Sequence, residues 1–176
     1  MQDLEILTNS YLIIGGHKSK KSEVSLYLSK ELGYKLINLD REKHAYFDDF
    51  TDFDSTKYYN LLDIDQEKAI NYIHKYEMKH LKFVLDNISE NVIIDFGNTY
   101  TLINEKEIIN KLKLFKYIIY LKQNEDVIKE SDYINKKLYN NKINSELATI
   151  SINIEDKDIN NIIKEIFNYK EFKDIL

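Results

Sequence analysis

Apolar positions along the chain fall into two kinds of pattern. Short apolar runs occur at residues 11–15, 35–39, 91–96 and 116–121, and residues 148–154 alternate Ile150, Ile152 and Ile154 with polar neighbours. Such runs suit strands, and the solidly apolar ones suit strands buried on both faces. Between them, apolar residues recur at three- and four-residue steps, the period of a helix face. Val24, Leu28 and Leu32 mark a helix over 23–32, which Gly33 is suited to stop. Ile70, Ile73, Leu81 and Val84 mark a long helix over 65–87, with Glu77 on or beside the inward stripe and His74 adjoining it. Further helices are predicted over 105–114 and 156–167, where Asp156 and Asp158 complement a helix N-terminal dipole. Residues 1–9 read as a surface lead-in. The aromatic and acidic stretch 42–62 has weak periodicity and reads as short helices and loops.

Strand and helix thus alternate five times, which predicts an α/β, doubly wound, three-layer domain with a five-stranded parallel sheet flanked by helices. The lack of a Pro/Gly/Ser linker or internal repeat makes residues 1–176 a single domain. Strand, helix and strand over residues 11–39 make a right-handed crossover, and ligands of open parallel sheets sit beyond the carboxyl ends of the strands. Gly15 to Ser22, Asp40 and Asp95 all fall at such ends.

The chemistry is concentrated in YLIIGGHKSKKS, residues 11–22. Strand, Gly-bearing loop, Lys-Ser and helix are the context of a phosphate-binding loop, whose backbone N–H groups face the anion while the lysine reaches it as a point charge. Gly15, Gly16, Lys18, Lys20, Lys21 and Ser22 are the nucleotide-binding candidates, with Ser22 on the Mg²⁺ side. The pattern is degenerate, because its second glycine is Lys20. If that side chain crowds the loop, Lys20→Gly is expected to raise nucleotide affinity. The alternative is an ordinary strand-to-helix turn with a solvated basic run. Asp40 is a candidate base for a substrate hydroxyl or a Mg²⁺ partner through water, and Asp95 resembles the acid that helps hold Mg²⁺. His74 and Glu77 on an inward stripe require partners, and His74 is either a structural histidine or a ligand for an anion.

Composition narrows the field. With 25 basic against 30 acidic residues the net charge is −5, which argues against a general nucleic-acid binder. Cysteine is absent, so disulfides and thiolate zinc sites are excluded. No apolar run approaches the ~20 residues of a membrane span, and residues 1–10 lack a basic leader pattern, so a cytoplasmic protein is expected. Proline is absent and Arg41 is the only arginine, a bias of the kind AT-rich coding produces. Phosphoryl transfer often draws on arginine, so here the lysines must carry that charge.

The order of these segments resembles the shikimate kinase family from about residue 11 to residue 167. YLIIGGHKSKKSEVSLYLSKELGYKLINLD resembles the family's opening, and Glu77 with Leu81 resembles part of its Phe-Arg-x-x-Glu helix. NVIIDFGN lies where the family has a strand ending in three glycines. YIIYLKQNEDVI resembles its fourth strand and the start of the segment beyond, and ATISINIEDKDINNIIKEIF resembles its closing strand and helix. The resemblance implies ATP-dependent phosphorylation of a hydroxyl with Mg²⁺. Lys21 matches the phosphate lysine, Ser22 the Mg²⁺-side hydroxyl, Asp40 the substrate aspartate and Gly97 one substrate-side glycine. The aromatic stretch 41–64 reads either as a substrate-covering segment or as a helical excursion packed by its aromatics, and 124–142, where Lys129, Lys136, Lys137 and Lys142 lie, either as a lid of the kind small kinases close over phosphates or as a solvated helix.

Departures cluster on the ligand positions. Lys18 and Lys20 replace loop glycines, Asn38 replaces the first Asp of Asp-x-Asp, His74 replaces the carboxylate-binding arginine, and Phe96 and Asn98 flank the lone Gly97. Three readings stay open: a phosphotransferase acting on shikimate, an altered kinase for another small metabolite, and a catalytically inactive relative that binds a nucleotide, another anion or a protein partner.

Overall fold

In the computed structural model, which describes residues 4–124, 126, 136–137 and 142–175, all five apolar runs are strands. They are β1 (Tyr11–Gly15), β2 (Lys35–Asn38), β3 (Val92–Asp95), β4 (Tyr117–Lys122) and β5 (Ile150–Asn153). The order across the sheet is β2-β3-β1-β4-β5, and each neighbouring pair is parallel. Every residue of β1 and β3 is buried, because helices cover both faces of the central strands.

Side chains alternate between those faces. Leu12, Ile14, Ile94 and Ile118 pack on one face with Leu81 and Leu85 of α5 (Gln66–Asp86) and Leu112 of α6 (Lys106–Leu112). Tyr11, Ile13, Ile93 and Ile119 pack on the other with Val24 and Leu28 of α2 (Lys21–Leu32) and Ile162 and Ile166 of α8 (Ile159–Ile175). The result is the three-layer α/β architecture. Gly33 ends α2 in the left-handed conformation (φ 67°), with its N–H donating to the Ser29 carbonyl.

One local reading changes and others become specific. The expected surface lead-in is a helix, α1 (Leu4–Asn9), and its Leu7 is a core residue, 3% exposed. Ser10 anchors that helix: its hydroxyl donates to the Ile6 carbonyl and accepts the Val92 N–H. Residues 42–62 are mostly two helices, α3 (Leu39–Phe50) and α4 (Ser55–Ile64), each capped by a side chain, Asn38 and Asp54. Their order comes from an aromatic cluster around Phe47 and Tyr76 with Phe53 and Tyr72, not from a clean helical stripe. α3 follows β2 directly, which puts Asp40 in the first turn of a helix. A short helix, α7 (Ile143–Leu147), precedes β5. Most of the expected lid, including Lys129, lies outside the described residues; of its described lysines, Lys137 Nζ stands 3.5 Å from Glu67 Oε1.

Candidate active site

The loop after β1 takes a left-handed, glycine-like path at two lysines. Lys18 and Lys20 have φ of 61° and 63°, the left-handed region that costs an L-residue ~1–2 kcal/mol. Gly15 is required by contact: a Cβ there would lie 2.9 Å from the Leu121 carbonyl oxygen. The Ser19 N–H donates to the Gly16 carbonyl at 3.2 Å, and α2 begins immediately after Lys20.

Lys21, the first residue of α2, is 8% exposed. Its ammonium donates to the Gly16 carbonyl (3.0 Å) and to Asn98 Oδ1 (2.7 Å). Burial draws its pKa below the usual lysine value, against the opposing pull of Asp95 and Asp40. Ser22 donates its hydroxyl to Asp95 Oδ2 at 2.7 Å, and Asn38 Nδ2 donates to the same oxygen at 2.7 Å. Asn38 and Asp95 are register partners at the ends of β2 and β3. Burial raises the Asp95 pKa; the Ser22 hydrogen bond and the Lys21 charge resist that.

On the opposite wall, the Asn98 N–H donates to Asp40 Oδ2 at 3.3 Å. Gly97 is held close to Asp40: a Cβ there would lie 2.5 Å from Asp40 Oδ1. Lys43, one turn along α3, lies between carboxylates, 3.0 Å from Asp40 Oδ1 and 3.0 Å from Glu77 Oε1. Burial alone would lower its pKa, but Glu77 and Asp40 hold it above the usual lysine value. Glu77 is fully buried; Oε1 also accepts from Thr99 Oγ1, while Oε2 is buried without a hydrogen-bond partner. Behind this pair, His80 Nδ1 and the Tyr100 hydroxyl are 2.6 Å apart. Burial, aided by the Lys43 charge, pushes the His80 pKa down to about 4, so the ring is neutral at pH 7.

A cavity of about 340 Å³ has residues 17–23 on one wall and Asn38, Asp40, Asp95 and Asn98 on the other, with Lys43, Glu77 and His80 behind Asp40 and outside the lining. The structure therefore gathers Lys18, Lys20, Lys21, Ser22, Asp40 and Asp95 around one space, with Gly15, Gly16 and Gly97 supporting its backbone. His74 is not part of that lining, and both its ring nitrogens are buried without partners. No residue of 41–64 lines the cavity either. Sequence reasoning overlooked Lys43, whose i,i+3 spacing from Asp40 on a helix was the available signal. It treated Asn98 only as a lost glycine, although its amide holds Lys21. Among the described residues no three His or acidic side chains form a metal cage. Ser22 and Asp95 offer hydroxyl and carboxylate oxygens, which suit Mg²⁺ bound largely through substrate phosphates.

No family model matches the sequence, and no curated protein matches it. Solved structures match along nearly the whole chain, and they define the class: the fold is that of the phosphate-loop small-molecule kinases. Within that class, shikimate kinase from Aquifex aeolicus vf5 is 23% identical with a TM-score of 0.62, covering 94% of this chain and 98% of that one. Shikimate kinase from Acinetobacter baumannii, in complex with shikimate, is 15% identical with a TM-score of 0.62, covering 97% and 96%. YorR from Bacillus subtilis, in complex with phosphorylated GDP, is 19% identical with a TM-score of 0.54, covering 94% and 98%. Among the described residues no helix is long and apolar enough to cross a membrane.

Proposed function

We propose that the chain is a shikimate-kinase-like phosphotransferase that uses ATP and Mg²⁺ to phosphorylate a hydroxyl of a small metabolite. The observation that carries this reading is the loop: Lys18 and Lys20 adopt the left-handed conformation themselves, and the space in front of Lys21 is open. Two lysines thus take the backbone conformation that glycine favours at these positions.

Roles follow from position. Lys21 meets the terminal phosphates as a point charge, and Lys18 and Lys20 add positive charge on the same wall. Ser22 and Asp95 would hold Mg²⁺, which when bound neutralises charge on the phosphates. Asp40 accepts the proton of the substrate hydroxyl as its oxygen attacks the γ-phosphorus and the bond to the bridging oxygen breaks. The Asn98 N–H and Lys43 fix the Asp40 carboxylate for that task.

A second reading, an inactive anion-binding homologue, draws on a different observation. Lys20 Nζ donates to the Lys157 carbonyl and Lys21 to Asn98, so a phosphate must displace both. Calorimetry with ATP and ADP, with and without Mg²⁺, separates the two. The kinase reading expects Mg²⁺-dependent binding that Lys21→Met weakens by about tenfold or more, the scale of one strong charge-assisted contact. Asp40→Asn should then leave binding intact while lowering kcat by ~10²–10⁴-fold. Absence of nucleotide binding in the wild type rejects the kinase reading.

A further inference from the structure

The cavity is electrically divided. Its cations, Lys18, Lys20 and Lys21, all belong to the phosphate-loop wall. The facing wall carries the carboxylates of Asp40 and Asp95 and the amides of Asn38 and Asn98. A phosphoryl acceptor must lie on that second wall, since the loop is taken by the phosphates.

Nothing described on the acceptor wall is free to pair with an anion. Lys43 is the nearby cation, and it is shared at 3.0 Å by two carboxylates, with its side chain only 13% exposed. Asp40, Glu77 and Lys43 together carry one net negative charge, and Asp40 presents that charge outward, with its side chain 44% exposed. His80 is neutral and engaged with Tyr100, and His74 lies off the cavity. Arg41 is exposed and outside the lining. An acceptor carboxylate placed here would face Asp40 with no cationic partner among the described residues. Hydroxyl groups instead find an acceptor in Asp40 and a donor in the Asn98 side-chain amide, whose oxygen is held by Lys21.

We infer that the acceptor is an uncharged polyol, a small compound with neighbouring hydroxyls and no carboxylate or other anionic group. The inference rests on the kinase reading and names its substrate class. Glu77 enters as a positioning residue: buried beneath Lys43, it neutralises the described cation nearest the acceptor wall.

The test uses matched acceptor pairs that differ only in a carboxylate reduced to a hydroxymethyl group: shikimate with its alcohol, and gluconate with glucitol. Mg²⁺-ATP binding is first established by calorimetry. Phosphotransfer is then read by ADP release and by phosphorus NMR of the product. The reduced member of at least one pair should have the higher kcat/KM, by tenfold or more. Glu77→Gln, which keeps an acceptor for Thr99 and removes the charge, should move that ratio at least fivefold toward the carboxylate member, through KM and not kcat. The wild-type ratios decide the question even if the variant does not fold. Preference for the carboxylate members, turnover of no neutral polyol, or a ratio unmoved in folded Glu77→Gln protein overturns the inference while Mg²⁺-ATP binding keeps the kinase reading. A wild type that binds no nucleotide rejects the kinase reading and the inference with it.

Discussion

Lys18 and Lys20 hold a backbone conformation that most side chains avoid, and their substitution by glycine separates strain from charge. Lys18→Gly relieves ~1–2 kcal/mol of left-handed strain but gives back ~0.5–1 kcal/mol of unfolded-chain entropy. A net gain of ~0.5–1 kcal/mol is expected, a rise of about 1–4 °C in thermal unfolding for a chain of this size. Lys20→Gly gains the same relief and loses the bond from its ammonium to the Lys157 carbonyl, so its melting temperature should scarcely move. The change improves nucleotide binding if the side chain crowds the loop; with Lys20 already in the left-handed conformation and on the cavity wall, we expect instead that it only removes a charge there. Calorimetry should show weaker Mg²⁺-ATP binding; tighter binding would mean that the Lys20 side chain does crowd the phosphates. Lys21, Ser22, Asp40 and Asp95 were legible as candidates because they sit at strand ends, where the topology places ligands. Lys43 was not, because its second partner, Glu77, lies 34 residues away and only the folded packing brings it near.

At the scale of elements, β2 and β3 explain a departure that looks damaging in the sequence. Asn38 stands where the resemblance expects an aspartate, but its register partner Asp95 supplies a carboxylate one strand over, and Ser22 and Asn38 both bond it. The acid facing the Ser22 hydroxyl comes from the neighbouring strand. Asp95→Asn should therefore remove the Mg²⁺ dependence of nucleotide binding while leaving the fold intact, since the amide still accepts from Ser22. Titrating ATP into this variant with and without Mg²⁺ checks it, and a persisting Mg²⁺ effect would place the metal elsewhere. The strands themselves were plain in the sequence because burial on both faces leaves solid apolar runs. α3 was obscured because its inward residues, Leu39, Lys43 and Phe47, mix aliphatic, basic and aromatic side chains, and the partners of Lys43 and Phe47 come from α5. α1 was missed because six residues are too few to show a period.

Across the whole molecule, the three-layer architecture followed from the alternation of runs, whereas the division of charge in the cavity depends on contacts that no local pattern encodes. Global stability offers a readout of that buried electrostatics. The folded state holds the His80 pKa at about 4, below the ordinary 6.5, because the ring is 2% exposed and lies near the Lys43 ammonium. Between those values the unfolded chain binds a proton that the folded chain refuses, so unfolding gains protons and stability falls as pH falls. The stabilisation is full above pH 6.5 and is lost on acidification toward pH 4, by up to about 3 kcal/mol for a shift of this size. Asp95 acts in the other direction: its raised pKa makes the folded state hold a proton more firmly, which offsets part of the loss just above the ordinary carboxylate value. The decline should therefore be steepest between pH 6.5 and about 5. Denaturant unfolding at half-unit steps from pH 7.5 to 4.5 measures it. His80→Gln retains a hydrogen-bonding partner for Tyr100 but takes up no proton, so its profile should be markedly flatter over the same range. An equally steep profile in that variant would assign the acid sensitivity to other groups and remove His80 as the buried neutral imidazole behind Lys43.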